Sequence, residues 1–518
     1  MNCLDQYAIH DMGIPASVLM ENAGKASYDR VKKLEKQLSR KTISVFCGPG
    51  NNGGDGYVFA RYAHLLRARV YVWIVSSGSL KFSYEAQTFY NALEKQGVPI
   101  FHFATPNDLD SKHQMILDQS YILIDAIFGT GLSRDLSSPY SDWIEHINLL
   151  KRQTRLKKVY SLDLPSGLHA DSGKVMGSCI KADATITFVC KKRGLFLDEG
   201  PRLSGTVFCE PISIDSRWLE HLETSATYEL TPVKFKTWYP RKTFGAHKGD
   251  FGKVLIIAGS PEKSGAAVLA ALGALRIGAG LVTVAVPGSC HTIVKRQLVE
   301  AMSESLPDVD GCLTIEALPK IETLLNQNDV CIAGPGLSPS KALSSIIEFI
   351  VEQTRLPLVL DADALNALGV KLHTINLKKF KPIVVTPHPG EMARVLDMTT
   401  QEIQASRMDV ARSLSQNAHL MVLLKGAFSI IANTNGEVWM NPTGNSLLAT
   451  GGMGDILSGM IGGLIAQKVD PLNALLMATF MHGQAADEIR RERAPRGVLA
   501  HELLDVLPTI LKLHDLQM

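Results

Sequence analysis

Short apolar runs recur along the chain, separated by segments whose apolar positions repeat at helical spacing. In the first half, Ile43–Cys47, Val70–Val75, Tyr121–Ile127, Lys158–Leu164, Ala184–Val189 and Thr206–Ile214 read as strands, and Tyr57–Leu66 and Tyr84–Lys95 as helices. The strands are apolar at nearly every position, as strands covered on both faces must be, so the alternation predicts a mostly parallel sheet with helices on either side. The rhythm lapses over the polar stretch Glu220–Val233 and restarts at Gly252, predicting a boundary near residues 218–228 between domains at 1–217 and 226–516. Beyond it, Leu281–Val286, Val330–Ala333, Leu358–Leu360, Ile383–Val385 and Leu420–Leu424 read as strands, and Gly454–Gln467 and Leu472–Arg490 as closing helices. Gly265–Pro287 is the most membrane-like stretch, but it holds Arg276 and several glycines and splits into a helix-like and a strand-like half. It reads as a core segment. The predicted class is α/β in both domains.

Composition narrows the partners. With 518 residues, 46% hydrophobic and 20% charged, there is material for large cores and no disorder signature. Lys and Arg number 53 against 51 Asp and Glu, a net charge of +2 that argues against nucleic-acid and membrane-surface roles. An anionic ligand therefore needs locally placed donors. The eight cysteines form no CxxC, and several lie in strand-like runs, the pattern of free thiols in a reducing cytosol. MNCLDQYAIHDMG shows no basic region followed by an apolar run, so a cytoplasmic location is expected. A homo-oligomer is expected, of a size that the sequence leaves open.

The first candidate site centres on Cys47–Gly56, CGPGNNGGDG, between a strand and a helix. Glycines there admit a phosphate to the backbone, and a helix start offers free N–H groups. Gly48–Gly53 fits GxGxxG, yet the second strand runs on as VWIVSSGSLKFSY with no acid before Glu85 to hold a ribose. That argues against an ordinary dehydrogenase. DAIFGTG at Asp125–Gly131 and SLDLPSG at Ser161–Gly167 end strands on the same expected edge. Asn52, Asp125 and Ser166 offer oxygens suited to a hard monovalent cation; each is equally readable as a local Asx or Ser turn. Asp163, between two leucines at a strand end, reads as an acid/base, or else as a structural or capping Asp.

The second site centres on TGNSLLATGGMGDILSG, Thr443–Gly459. Gly451, Gly452 and Gly454 lead into an apolar helix and offer N–H groups to a phosphate. Asp455 is poorly placed to bind phosphate and well placed to take a proton from a hydroxyl attacking it; the alternative is a helix N-cap. Other ligand-shaped loops are GPGL at Gly334–Leu337, DADALN at Asp361–Asn366, TPHPGE at Thr386–Glu391 and KGA at Lys425–Ala427. His388 lies between two prolines in a stiff loop. Lys425 reads as a phosphate contact or as a solvated surface lysine.

These motifs carry a resemblance. LMENAG at Leu19–Gly24, GPGNNGGDG, DAIFGTGLSR and DLPSG, in that order over most of residues 1–215, resemble the NAD(P)H-hydrate epimerase family. The resemblance implies a Rossmann-like three-layer domain, with potassium at Asn52, Asp125 and Ser166. It places the hydrated dinucleotide along Asn51, Asn52, Gly53, Gly54 and Asp55, along Gly129, Thr130, Gly131, Leu132, Ser133, Arg134 and Asp135, and at Asp163. HKGDFGKVLIIAGS, GAAVLAALGALRIGAGLVTVAVP, AGPGL, VLDADALN, TPHPGEMARVL, LLKGA and ATGGMGD cover nearly all of residues 240–490. They resemble the ADP- or ATP-dependent NAD(P)H-hydrate dehydratase family, whose fold is ribokinase-like. That resemblance implies substrate contacts at Ala266, Gly336, His388 and Asp455. It implies nucleotide contacts at Lys425, Gly426, Ala427, Phe428, Ser429 and Gly454, and Mg2+ accompanying the nucleotide. Departures are Ser338, where the family commonly has Gly, and Met453 within GGMGD. The implied activity is repair: interconversion of the R and S hydrates of NADH and NADPH, then dehydration of the S form at the expense of ADP, with ATP the alternative. The competing reading is a ribokinase-like small-molecule kinase fused to a silent nucleotide-binding scaffold.

Overall fold

The computed structural model describes residues 2–76, 78, 81–153, 157–218, 227–240, 244–373, 381–493 and 496–514. The chain divides into two units, Met1–Thr224 and Ser225–Met518.

The first unit holds seven strands: β1 Thr42–Cys47, β2 Arg69–Ile74, β3 Ile100–His102, β4 Ile122–Ala126, β5 Lys158–Leu162, β6 Ala184–Phe188 and β7 Thr206–Glu210. All pair in parallel, in the order β3-β2-β1-β4-β5-β6-β7. The order reverses between β1 and β4, which opens a crevice at their carboxyl ends. Apolar side chains fill both faces, with Phe46, Trp73 and Trp143 stacked on one and Tyr57, Phe59 and Tyr28 on the other. This is the parallel sheet covered on both faces that the alternating pattern predicts, and the Rossmann-like three-layer architecture that the resemblance implies. Two boundaries differ by more than two residues. The predicted strand Thr206–Ile214 pairs only to Glu210, although Ile212 and Ile214 remain buried. The helix predicted from Tyr57 begins at Asn51, with Gly50 as its N-cap. Low helix propensity had marked Asn51–Gly56 as loop, but tertiary packing selects these glycines. A Cβ on Gly53 would lie 1.9 Å from Gly48 O, on Gly54 2.3 Å from Met20 Sδ, and on Gly56 2.7 Å from Ala126 Cβ.

In the second unit the strands are β8 Thr227–Glu229, β9 Lys253–Ile257, β10 Leu281–Pro287, β11 Met302–Leu306, the small hairpin β12 Asp308–Val309 and β13 Cys312–Leu313, β14 Val330–Ala333, β15 Leu358–Leu360, β16 Ile383–Val385, β17 Met421–Leu424, β18 Ile430–Ala432 and β19 Val438–Met440. The main sheet runs β11-β10-β9-β14-β15-β16-β17-β18-β19-β8 and is parallel except around β18. Its fold is the expected ribokinase-like α/β. Part of the polar stretch read as linker is structural: β8 pairs with β19, Thr227 opposite Val438, and closes the sheet edge. Residues 220–226 of that stretch lie outside the described residues. The membrane-like stretch resolves into the helix Ser264–Arg276 and β10. That helix packs against Met453–Ala466 through glycines: a Cβ on Gly459 would lie 2.0 Å from Ala270 O, and one on Gly273 2.4 Å from Ile456 O. Among the described residues no helix is long and apolar enough to cross a membrane.

Candidate active sites

In the first unit a cavity of about 550 Å³ opens at the carboxyl ends of β1, β4, β5 and β6. Its wall includes Gly50, Asn51, Asn52 and Asp55 after β1, Gly129–Leu132 after β4, Asp163 after β5 and Lys192 after β6. The helix Asn51–Leu65 points its start here, and its first internal bond is Gly54 N–H to Gly50 O at 3.2 Å. The N–H groups of Asn51, Asn52 and Gly53 are thus left for a ligand. Gly53 and Gly54 also serve close packing, since neither has room for a Cβ. Ser133, Arg134 and Asp135 lie off the wall, exposed on the loop beyond Leu132.

Asp163 has a left-handed backbone, φ 63°, directly after β5. Such strain persists where the surroundings hold it, often at functional sites. Its Oδ1 accepts from Thr187 Oγ1 at 3.1 Å and pairs with Lys192 Nζ at 2.5 Å. Lys192 is buried and also donates to Phe188 O at 3.0 Å. Asp5 and Asp55 line the same cavity. Burial pushes the Asp55 carboxyl well above the usual range; the Asp163 and Asp5 charges add to this and Lys192 opposes it. Burial raises Asp5 as well, against Lys192. Three acids share one lysine, which favours a retained proton on one of them. The sequence reading missed Lys192 and Asp5. Lys192 lies in a Lys–Lys–Arg run, and sequence alone does not say which of the three turns inward.

Asp125 is fully buried beneath the wall. It accepts from Ser161 Oγ at 2.7 Å and from Ser166 N–H at 2.8 Å, and Ser166 Oγ bonds its other oxygen. Burial raises its carboxyl, and these donors oppose the shift. Asn52 is buried, and neither its Oδ1 nor its Nδ2 has a partner. The fold thus joins Asp125 to Ser166 directly and leaves an orphaned carboxamide at Asn52, a donor set that fits a cation.

In the second unit the predicted loops again end strands. Gly334, with φ 124°, would place a Cβ 1.8 Å from Asp361 O. A Cβ on Gly336 would lie 2.9 Å from Ala266 Cβ, so these two predicted contacts are neighbours. Ser338 adopts φ 59°, which explains why Gly is common there; its Oγ donates to Ser260 Oγ at 2.9 Å. Ala362 is strained at φ 49°, ψ −116° and sets Asp361 and Asp363 on either side of it.

Gly452 caps the helix Met453–Ala466, placing Asp455 in its first turn. The N-cap alternative for Asp455 is therefore overturned: a glycine occupies that position. Gly454 lies directly over Lys425 and Asp361, since a Cβ there would meet Lys425 Nζ at 3.4 Å and Asp361 Oδ2 at 3.9 Å. Lys425 Nζ pairs with Asp361 Oδ1 at 2.7 Å, and Ser458 Oγ donates to Asp361 Oδ2 at 2.6 Å. Burial works against the Lys425 charge, but Asp361 and Glu391 outweigh it and hold the ammonium above its ordinary range. It is not a solvated surface lysine. Burial and the Asp361 charge push Asp455 up to about 7, against Lys425. His482 is buried, lowered to about 4 by that burial, and its Nε2 lies 3.0 Å from Met453 O at the helix start. His388 is the N-cap of the helix Pro389–Leu396: its Nδ1 accepts from Gly390 N–H at 3.0 Å and Glu391 N–H at 3.2 Å. Its Nε2 lies 3.3 Å from Glu391 Oε1. Asp361, Glu391 and Ser458 belong to this centre and were not singled out in the sequence; the motifs DADALN and TPHPGE held the signal.

Comparison with known proteins agrees. The family described as NAD(P)H-hydrate dehydratase matches residues 254–509, and that described as YjeF-related protein N-terminus matches residues 16–194. The chain is 37% identical over 516 residues to a bifunctional NAD(P)H-hydrate repair enzyme of Moorella thermoacetica, covering 99% of this chain and 95% of the relative. A repair enzyme of Coxiella burnetii is 34% identical, covering 98% of this chain and 97% of the relative. An ADP/ATP-dependent NAD(P)H-hydrate dehydratase of Bacillus subtilis, co-crystallised with ATP and Mg2+, is 31% identical over 55% of this chain and 98% of its own, with a TM-score of 0.49. The chain belongs to the family of bifunctional NAD(P)H-hydrate repair enzymes, with an epimerase unit followed by a dehydratase unit.

Proposed function

We propose that residues 1–217 interconvert the C6 epimers of hydrated NADH and NADPH, and that residues 226–516 dehydrate the S epimer with ADP. The single observation that carries the second step is Asp455. Its carboxylate, half-ionised near pH 7, sits in the first turn of a helix whose Gly454 lies over the Lys425–Asp361 pair. Asp455 takes the proton of the C6 hydroxyl, and the oxygen attacks the terminal phosphoryl group of the nucleotide. ADP leaves AMP. The C6–O bond then breaks with phosphate departing, the C5 proton is lost and the C5–C6 double bond is restored. The free N–H groups of the helix start and Lys425 balance the charge on the transferring group. Ala266, Gly336 and His388 face the hydrate, and Lys425–Ser429 the nucleotide. Mg2+ accompanying the nucleotide would neutralise phosphate charge. Among the described residues no group of three His, Cys, Asp or Glu forms a metal cage, which suits an ion held by phosphates and water.

In the epimerase, C6 carries both a hydroxyl and the ring nitrogen. The proton kept at Asp55 goes to that hydroxyl, which leaves as water as the nitrogen lone pair forms a C6=N bond. Water returns to the opposite face and gives a proton to Asp163, held in place by Lys192. Potassium would be held by Asn52, Asp125 and Ser166; the orphaned Asn52 carboxamide supports this. It would supply fixed positive charge beneath the ligand. A cytoplasmic location fits the free cysteines.

The test follows recovery of reduced-nicotinamide absorbance from hydrated NADH with ADP, then with ATP. Recovery that depends on neither nucleotide overturns the dehydratase reading. Turnover of a vitamin-like alcohol in its place would support the small-molecule kinase.

A further inference from the structure

Arg407 opens the helix Arg407–Ala418, a poor place for a cation because the helix start is itself positive. Its residue is 7% exposed, and its pKa is lowered to about 10 by burial alone, with no carboxylate opposing the shift. Buried charges ordinarily pair with acids. This guanidinium instead meets backbone carbonyls: NH1 donates to Ala427 O at 2.5 Å, and NH2 to Leu424 O at 3.3 Å and Lys425 O at 3.4 Å. Its Nε is buried with no partner. Leu424 ends β17, and Lys425 and Ala427 lie in the connection from β17 to β18.

The peptide plane gives this consequence. A trans peptide points its C=O and its N–H in opposite directions. Carbonyls of Lys425 and Ala427 drawn toward Arg407 turn the N–H groups of Gly426 and Phe428 away from it. The loop takes this form only with φ 145° at Gly426 and φ 49° at Phe428. A Cβ on Gly426 would lie 2.8 Å from the guanidinium. One face of the loop is thus bonded to a cation and the other carries the Gly426 N–H, while the Lys425 N–H is held by Pro387 O at 2.8 Å.

We propose that Arg407 is a positioning residue for the nucleotide: holding the Leu424, Lys425 and Ala427 carbonyls on one side, it turns the Gly426 N–H toward the phosphates. Its uncompensated charge adds to the same field. This rests on the reading of Lys425–Ser429 as the nucleotide loop.

The experiment uses the full chain carrying Arg407→Met, Arg407→Lys or Gly426→Val. It reads KM for ADP at saturating hydrate, KM for hydrate at saturating ADP, kcat, and the inhibition constant of adenosine. Arg407→Met is expected to raise the ADP KM about tenfold or more, since hydrogen bonds set by a charged group are lost. The hydrate KM and the adenosine constant should stay within about twofold, because neither reports the phosphate contact. Arg407→Lys, which keeps charge without the planar fork, should fall between. An unchanged ADP KM in Arg407→Met, or equal weakening of ADP and adenosine, overturns the proposal. If Arg407→Met does not fold, the same comparison on Arg407→Lys decides. Gly426→Val separates the two readings. If it leaves ADP affinity intact, the nucleotide loop itself is misplaced. If it abolishes ADP binding while Arg407→Met does not, only the role of Arg407 fails.

Discussion

At the residue scale, the proposed function rests on carboxylates pulled apart by their surroundings. Asp455 is expected to act as base only when ionised, so dehydration should rise with pH through about 7, where burial places its titration. Asp455→Asn should lower dehydration by about 10²–10⁴-fold. Epimerisation should be unchanged. The same burial has a stability sign. A carboxyl raised on folding binds more protons folded than unfolded, so its contribution is complete below the ordinary Asp range and is lost as pH rises toward about 7. Asp455→Asn should therefore melt no lower than the parent at pH 8, which thermal unfolding checks. A lower melting temperature would mean that the carboxylate is structural. Lys192 carries the opposite logic. Lys192→Met leaves Asp163 without its partner beside Asp5 and Asp55. Epimerisation, followed by the interconversion of purified epimers, should fall about 10²-fold, the low end for a misplaced acid/base group. Dehydration of the S epimer should remain at the parent rate; a fall in both would indicate general misfolding.

At the scale of elements, helix ends and strand ends hold the chemistry while buried lysines hold the helix ends. Lys157 donates to Leu117 O at 2.6 Å and Ser120 O at 3.1 Å, closing the helix Ser111–Gln119. Lys381 does the same for Lys341–Gln353 through Thr354 O at 2.6 Å. Such bonds satisfy carbonyls that a helix leaves open at its C-terminus. Strand β8 is the element most easily mistaken for linker. A C-terminal fragment beginning at Ser225 keeps β8 paired with β19, whereas one beginning at Thr231 exposes the β19 edge. The longer fragment should be the more soluble and should melt higher. Equal behaviour would show that the β8 pairing contributes nothing.

At the scale of the whole molecule, two chemistries in one chain clear both epimers. With ADP, the parent should convert an R and S mixture in a single phase to full absorbance. Asp163→Asn should give a fast phase equal to the S fraction and then a slow phase set by spontaneous epimerisation. A single fast phase in that variant would remove Asp163 from epimerisation. Much of this organisation was legible beforehand, because strands buried on both faces leave near-continuous apolar runs. β14, β15 and β16 were read to the residue. β3 and β8 were not read, because these short edge strands are part-exposed and leave no continuous apolar run; β18 and β19 were missed as well.

The sequence by itself determined the two α/β units and the loops at strand ends, and singled out Asp163, Lys425 and Asp455 as candidates. Each depends on local pattern: apolar period, glycine before a helix, an acid at a strand end. What only the tertiary structure decided is partnership. Asp5 and Lys192 lie far apart in sequence yet line one cavity with Asp163. Asp361 and Lys425 pair across 64 positions, and Arg407 reaches the loop at Ala427. The glycines of Asn51–Gly56 lie within a helix and are packed too closely for a Cβ at Gly53, Gly54 or Gly56. Ionisation and close approach depend on what the fold brings within a few ångströms, and no local pattern encodes that.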